Sequence, residues 1–198
     1  MSHYFKNDPN LKSDIKEIEI EILNNSFFFL VDHGVFSKKR LDFGTKVLIE
    51  SVDIKDDKHT VIDMGCGYGP IAIAMAYKYP NKAIFAYDIN RRAVDLTRRN
   101  AWKNNVKMEV FESNLFENVK VNADVIITNP PIRTGKENIF KLYQDAYDNL
   151  NVNGDLYVVI RMQQGAESTK KKLEEIFANI TTLYGKKGYR VYKCTKLA

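Results

Sequence analysis

The segment Asp63-Met-Gly-Cys-Gly-Tyr-Gly-Pro70 stands between a β-branched run, VIDM (61–64), and an apolar run of helical character, PIAIAMAYKY (70–79). Glycines placed where a strand passes into a helix let the backbone take positive φ and let a ligand approach the main-chain N–H groups that open the helix. The spacing is G-x-G-x-G, tighter than the G-x-G-x-x-G of nicotinamide and flavin sites. The next strand, AIFAYD (83–88), ends on Asp88, 25 positions after Asp63. A carboxylate only accepts hydrogen bonds, so at the carboxyl edge of a sheet it suits the paired hydroxyls of a ribose. Strand, loop, helix, strand and acid in that order describe an adenosine-type site, with Asp63, Gly65, Gly67, Gly69 and Asp88 as its residues.

The rest of the chain extends the same rhythm. Asn90 is placed to cap RRAVDLTRRNAWKN, an amphipathic helix. VKMEVF (106–111) and ADVIIT (123–128) read as strands, ENIFKLYQDAYDNL (137–150) as a helix, and Asn153-Gly154 as the opening of the strand DLYVVI. A helix near 166–178 precedes two β-like segments, ITTLYG and GYRVYKCTK, separated by Lys186-Lys187. Upstream, IEIEIL, the turn residues Asn24-Asn25 and SFFFLVD predict a β-hairpin, and a short helix follows that Asp42 or Thr45 would cap. Strands alternating with helices predict an α/β fold with a mostly parallel sheet, an antiparallel C-terminal hairpin at its edge and an N-terminal β-hairpin extension. We expect a single domain over 1–198, with the extension in 1–52 and the cofactor-binding core in 53–198.

Charge narrows the partners. The chain carries 30 basic and 25 acidic side chains, and Arg161–Ala198 holds 9 of the basic and 3 of the acidic ones, so the whole excess lies in the C-terminal segment. An acidic partner would meet that segment. A composition of 44% hydrophobic and 28% charged residues excludes global disorder. No apolar run is long enough for a membrane span, and the first residues lack the order of a signal peptide, so a cytoplasmic protein without a membrane partner is expected. Two cysteines make no disulfide framework, and His3, His33 and His59 show no metal-ligand spacing, so no metal site is expected.

Asn129-Pro130-Pro131-Ile132 follows ADVIIT directly. Two consecutive prolines fix the backbone and remove its donors, so the carbonyls of Asn129 and Pro130 can be held toward a pocket. Rigid acceptors aimed at the two hydrogens of a planar amine orient it for attack and favour its conversion to a tetrahedral nitrogen. Cys66 lies in the glycine loop, away from Pro130, so carbon-5 pyrimidine methylation through a cysteine nucleophile has no candidate.

These residues resemble the motifs of class I S-adenosylmethionine-dependent methyltransferases, whose seven-stranded, mostly parallel sheet is Rossmann-like. By that resemblance the Asp63 position lies near the methionine amino group, Asp88 holds the ribose and Ile89 packs on adenine. The third motif falls at Glu112-Ser-Asn114-Leu115-Phe116, where members usually carry Asp at the place of Asn114. Asn129-Pro-Pro-Ile132 is similar to the N-P-P-[FYW] of amino-group methyltransferases, with isoleucine in place of the aromatic.

Three further stretches resemble the single-domain bacterial branch of the ribosomal RNA small-subunit methyltransferase C family of guanine-N2 methyltransferases. They are Gly34-Val-Phe-Ser37 with Leu41-Asp-Phe-Gly-Thr45, Asn129 to Lys136, and Gln163-Gln-Gly-Ala166 with Lys187-Gly-Tyr-Arg190. In that branch isoleucine after the prolines is expected. The resemblance implies S-adenosyl-L-methionine as cofactor, with Phe36, Thr45 and Asn129 on the cofactor side, and small-subunit (16S) ribosomal RNA or the 30S subunit as partner. Arg133 and Lys136 would reach phosphates beside the target, and Lys186, Lys187 and Arg190 would add to the RNA contact. Longer members carry a degenerate duplicate domain in front; here only the hairpin precedes the core, which raises a homodimer as the way substrate is presented.

Competing readings are methyl transfer to a release-factor glutamine or a nucleic-acid adenine, a non-catalytic RNA-binding module with a vestigial cofactor site, and a nicotinamide oxidoreductase. Arg91, Arg92, Arg98 and Arg99 are expected on a solvated helix face, and Trp102 in the core or in helix-end packing. Lys38-Lys39-Arg40 and Lys170-Lys171-Lys172 read equally as solvated surface or as RNA-binding runs.

Overall fold

The computed structural model describes residues 13–32, 40–130 and 135–198. In chain order the elements among the described residues are β1 (Ile15–Ile22), β2 (Asn25–Asp32), α1 (Phe43–Ser51), β3 (Thr60–Met64), α2 (Pro70–Lys78), β4 (Ala83–Asp88), α3 (Arg91–Lys103) and β5 (Glu109–Glu112). They continue with β6 (Ala123–Thr128), α4 (Lys136–Asn149), β7 (Leu150–Arg161), α5 (Ala166–Ile176), β8 (Asn179–Tyr184) and β9 (Tyr189–Thr195). None of these helices is long and apolar enough to cross a membrane.

Seven strands form one sheet in the order β5-β4-β3-β6-β7-β9-β8. Neighbours from β5 to β7 run parallel, and β9 runs antiparallel to both β7 and β8. This is the expected Rossmann-like α/β architecture. The central strands carry unbroken apolar runs because helices cover both faces. On one face Val61, Val125, Ile127 and Val159 pack with the buried residues of α1, α2 and α3. On the other, Ile62, Ile126, Leu156 and Val158 meet Ile139, Leu142 and Tyr143 of α4 and Leu173 of α5. Strand order reverses at β3, so the carboxyl ends of β3 and β6 open the crevice in which such sheets hold ligands.

The predicted N-terminal hairpin forms, but as a separate two-stranded sheet. Ile20, Ile22, Phe27 and Phe29 bury against α2 and α3, with Phe27 edge-on to Tyr77 at 5.1 Å and Phe29 edge-on to Tyr68 at 5.4 Å. Asn100 of α3 and the helix's C-cap Asn104, one turn apart, then act as a surrogate strand along β2. Phe28 donates its N–H to Asn104 Oδ1 (3.0 Å) and accepts from Asn104 Nδ2 (2.8 Å). Leu30 donates to Asn100 Oδ1 (2.7 Å) and accepts from Asn100 Nδ2 (2.9 Å). Side-chain amides thus satisfy an edge that would otherwise need another strand.

Several local expectations are corrected. The strand expected to open at Asn153-Gly154 begins instead at Leu150 and absorbs those residues in an irregularity of the β6–β7 register, with Asn153 at φ 64°. The β5 segment starts at Glu109, later than the run from Val106 suggests. Trp102 is 85% exposed, neither core nor helix-end packing. The buried stripe of α3 runs through Ala93, Leu96, Thr97 and Asn100, and a residue two positions beyond Asn100 falls on the opposite side. Arg91, Arg98 and Arg99 are solvated as expected, whereas Arg92 is half-buried, 4.0 Å from the buried Asp32 of the hairpin.

Candidate active site

The loop after β3 is built by backbone hydrogen bonds to the strand beside it. Gly65 and Cys66 both donate their N–H to the Tyr87 carbonyl (2.8 and 3.0 Å), and Gly69 donates to Cys66 O (2.9 Å). Gly65 and Gly67 adopt φ of 78° and 59°, and a Cβ at either would meet nothing within 4 Å, so the side of each Cα that a side chain would occupy is open. Gly69 is required for two reasons: its φ is 96°, and a Cβ there would come within 2.8 Å of Thr97 Cγ2. Cys66 is buried, and burial together with the charges of Asp88 and Asp63 pushes its thiol well above the usual range. It is no nucleophile.

Asp63 is 1% exposed. Its Oδ2 accepts the Ala72 N–H of α2 (3.1 Å), while Oδ1 is buried without a hydrogen-bond partner. Burial first, and the Asp88 charge in addition, pushes its carboxyl up to about 7 against the pull of the Ala72 hydrogen bond. An orphaned buried acceptor beside an open glycine loop fits the cationic amino group of an amino-acid ligand. Asp88 is 3% exposed and accepts from Gly67 N and Asn90 N (2.9 Å each). Ser113 N–H donates to Asp88 O (2.9 Å), which brings the end of β5 beside Asp88. There Asn114 is exposed and donates to Glu117 Oε1 (2.7 Å), Leu115 is half-buried at φ 48°, and Ile89 is half-buried next to the acid. The residues of the three motifs thus lie at the carboxyl ends of the neighbouring strands β3, β4 and β5, and their chemistry fits an adenosine linked to an amino acid.

On the far side of β3, Thr128 Oγ1 donates to the Met64 carbonyl (2.9 Å) and ties β6 to the glycine strand. Asn129 follows at once. Its Nδ2 donates to Thr45 Oγ1 (2.9 Å) and lies 3.5 Å from Asp42 Oδ1. Thr45 Oγ1 in turn donates to Asp42 Oδ2, and Thr45 N–H donates to Asp42 Oδ1 (3.0 Å). Because the Asp42 carboxylate only accepts, the direction of this chain is fixed: the amide nitrogen of Asn129 points to α1, and no described residue donates to its Oδ1. The cap of α1 is Asp42, which settles the choice with Thr45, and the same side chain holds the orientation of Asn129. Sequence reasoning missed Asp42 as a site residue because a capping aspartate is common at helix starts. Its place in Leu41-Asp-Phe-Gly-Thr45 was the available signal.

The basic C-terminal hairpin reaches the same corner. Lys186 and Lys187 form the exposed β8–β9 turn, and the Lys187 ammonium lies 5.2 Å over the ring of Phe43, the residue after Asp42. Arg190 is half-buried near the start of β9, and Lys136 is exposed at the start of α4. Lys170 and Lys172 of α5, by contrast, pair with Glu174 and Glu175 (3.5 and 3.1 Å), which makes that lysine run a solvated helix face. Phe36, Pro131, Ile132 and Arg133, with Lys38 and Lys39, lie outside the described residues; Pro130 is described and buried.

Residues 26–193 match the family model of the methyltransferase small domain. The uncharacterized protein YbxB of Bacillus subtilis is 37% identical over 198 residues, covering 98% of each chain. The ribosomal RNA small subunit methyltransferase C of Cronobacter sakazakii is 32% identical over 164 residues, which are 81% of this chain but 47% of that protein. The chain therefore spans about half of that relative. Among solved structures, a 16S rRNA N2 methyltransferase of T. thermophilus in complex with AdoMet and guanosine superposes with a TM-score of 0.83 at 22% identity, over 95% of this chain and 52% of that one.

Proposed function

Because the chain belongs to the methyltransferase small domain family and is a class I S-adenosylmethionine-dependent methyltransferase, we propose that it methylates the exocyclic N2 amine of a guanine in small-subunit ribosomal RNA. The observation that carries this reading is the locked carboxamide of Asn129, whose nitrogen is held by Thr45 and Asp42 and whose Oδ1 remains an acceptor. The ribosomal RNA methyltransferases among its relatives and the basic rim near Asn129 support RNA as the substrate class.

Bound cofactor supplies an electrophilic methyl group on a sulfonium. Asp63 Oδ1 takes a donor from the ligand's amino group, and the main chain at Gly65 and Gly67 allows close approach. Asp88 takes the ribose hydroxyls. Asn129 Oδ1, with the Pro130 carbonyl, accepts the two hydrogens of the guanine amine. Both acceptors hold the nitrogen in line and stabilise the positive charge that grows there, and solvent removes the proton after transfer. Preorganisation matters because Asn129 need not turn when substrate arrives: its other end is already tied to α1. Ile132 would pack on the base, Phe36 and Thr45 would line the cofactor side, and Arg133 and Lys136 would contact flanking phosphates.

The test is methyl transfer from labelled cofactor to small subunits, or their naked RNA, from a strain deleted for this gene, followed by nucleoside analysis. Label in N2-methylguanosine is expected. Label in adenine or in protein glutamine, or none in either substrate, overturns the reading.

A further inference from the structure

Beside Asn129 lies a cluster that the transfer step does not use. Arg161 ends β7 and faces Tyr189 directly across the antiparallel β7–β9 pair. Its Nε donates to Tyr189 Oη (2.8 Å), and its guanidinium carbon sits 5.3 Å from the ring centroid. The Tyr189 ring lies 5.5 Å from the Phe43 ring, which also meets Tyr184 at 6.3 Å and carries Lys187 over its face. Residue 44 must be glycine for this to assemble, since a Cβ there would come within 2.8 Å of Tyr189 Cε1. Met162 N–H donates to Gly188 O (2.8 Å), locking the end of β7 to the basic turn. The three rings are half-buried, and Arg161 and Lys187 are exposed.

Two facts distinguish this cluster from ordinary surface packing. Three cations of the C-terminal segment are matched by acids, Lys170 with Glu174, Lys172 with Glu175 and Lys193 with Asp155. Arg161 and Lys187 make no ion pair with any described residue, and both lie over aromatic rings. The cluster is also joined to the transfer site through one turn of helix, since Phe43 follows the aspartate that orients Asn129. A planar guanidinium backed by a tyrosine ring is a surface on which an unpaired base stacks, and an ammonium beside it suits the phosphate that follows.

We propose that Arg161, Tyr189 and Phe43 form a stacking subsite for the nucleotide adjacent to the target guanine in single-stranded RNA, with Lys187 on its phosphate. This rests on the guanine methyltransferase reading above. A base held in a duplex presents no open face, so the subsite selects unpaired RNA.

The test uses the full chain with S-adenosylhomocysteine and a labelled single-stranded oligoribonucleotide carrying one guanine, compared with the same strand made abasic on both sides of it. Wild-type protein should lose roughly tenfold in affinity on removal of the flanking bases. Arg161→Lys keeps the charge and removes the plane; it should bind the intact strand about tenfold more weakly and no longer distinguish the abasic one. Tyr189→Phe, which keeps the ring against Gly44 but frees the guanidinium, should shift affinity in the same direction. Arg161→Lys that binds and discriminates like wild type overturns the subsite, as does competition by a polyglutamate peptide as strong as that by RNA. Guanine methylation by the wild-type protein is measured alongside. If it occurs while Arg161→Lys leaves KM for RNA unchanged, the subsite fails alone; if it never occurs, the functional reading fails and the subsite with it.

Discussion

At the scale of single residues, Asp63 and Asn129 make opposite demands on the same crevice. The Asp63 carboxyl, pushed up to about 7 by burial, keeps its proton in the ligand-free folded chain well above the usual carboxylate value of 3.8. Between those two pH values the unfolded chain sheds a proton that the folded chain retains. This group's stabilising contribution is thus complete below about pH 4 and is lost as pH rises through about 7. A cationic ligand reverses the preference by favouring the ionised form. Cofactor affinity should therefore rise between pH 6 and 8, with proton release below pH 7 that calorimetry in buffers of different ionisation enthalpy will read. Asp63→Asn should raise the melting temperature of the ligand-free protein at pH 8 and weaken cofactor binding by about 10- to 100-fold, the value of one hydrogen bond to a charged group. Asn129→Ala should leave cofactor affinity nearly intact and lower methyl transfer on the order of 100-fold or more. Thr45→Val, which keeps shape and removes the hydroxyl, should fall between that variant and wild type in kcat; wild-type turnover in Asn129→Ala would sink the mechanism.

Elements decide whether those side chains stay in place. The glycine loop is held from below by β4, through the Tyr87 carbonyl, and from the side by α3, where Asn100 Nδ2 also donates to Tyr68 O (2.8 Å). Asn100 is fully buried and joins β2 of the hairpin to the cofactor loop in one side chain. Asn100→Ala should cost about 2–3 kcal/mol in denaturant unfolding and Asn104→Ala about 1, because the latter is partly solvated. Amide hydrogen exchange at Phe28 and Leu30 should accelerate in both. Neither asparagine was legible as a docking group in the sequence, since asparagine in a helix reads as a weak helix former until its partner is known. The hairpin itself was legible from its alternation and turn, and the crossover helices from their periodicity, because both signals are local. Trp102 was misjudged for the same reason: its hydrophobicity is local, but its side of the helix is fixed only by what α3 packs against.

Across the whole molecule the charge is unevenly laid out. The hairpin residues 13–32 carry five acids and one lysine, whereas the β8–β9 turn and the start of β9 carry Lys186, Lys187 and Arg190, none of which pairs with a described acid. Replacing all three by alanine should weaken RNA binding and reduce the slope of log affinity against log salt by about 2, at roughly 0.7 per phosphate contact on a single strand. An unchanged slope would reduce that charge to a solubility device. The sequence by itself determined the α/β class and the glycine loop with its acidic partners, because each is a short pattern whose chemistry does not depend on distant residues. Only the tertiary structure decided that Asp42 and Thr45 orient Asn129 and that asparagines close the hairpin edge. It alone also brought Arg161, Tyr189 and Phe43 to one corner. Those groups lie tens of residues apart and meet only because β7 ends where β9 and α1 begin, a consequence of strand order that no local pattern carries.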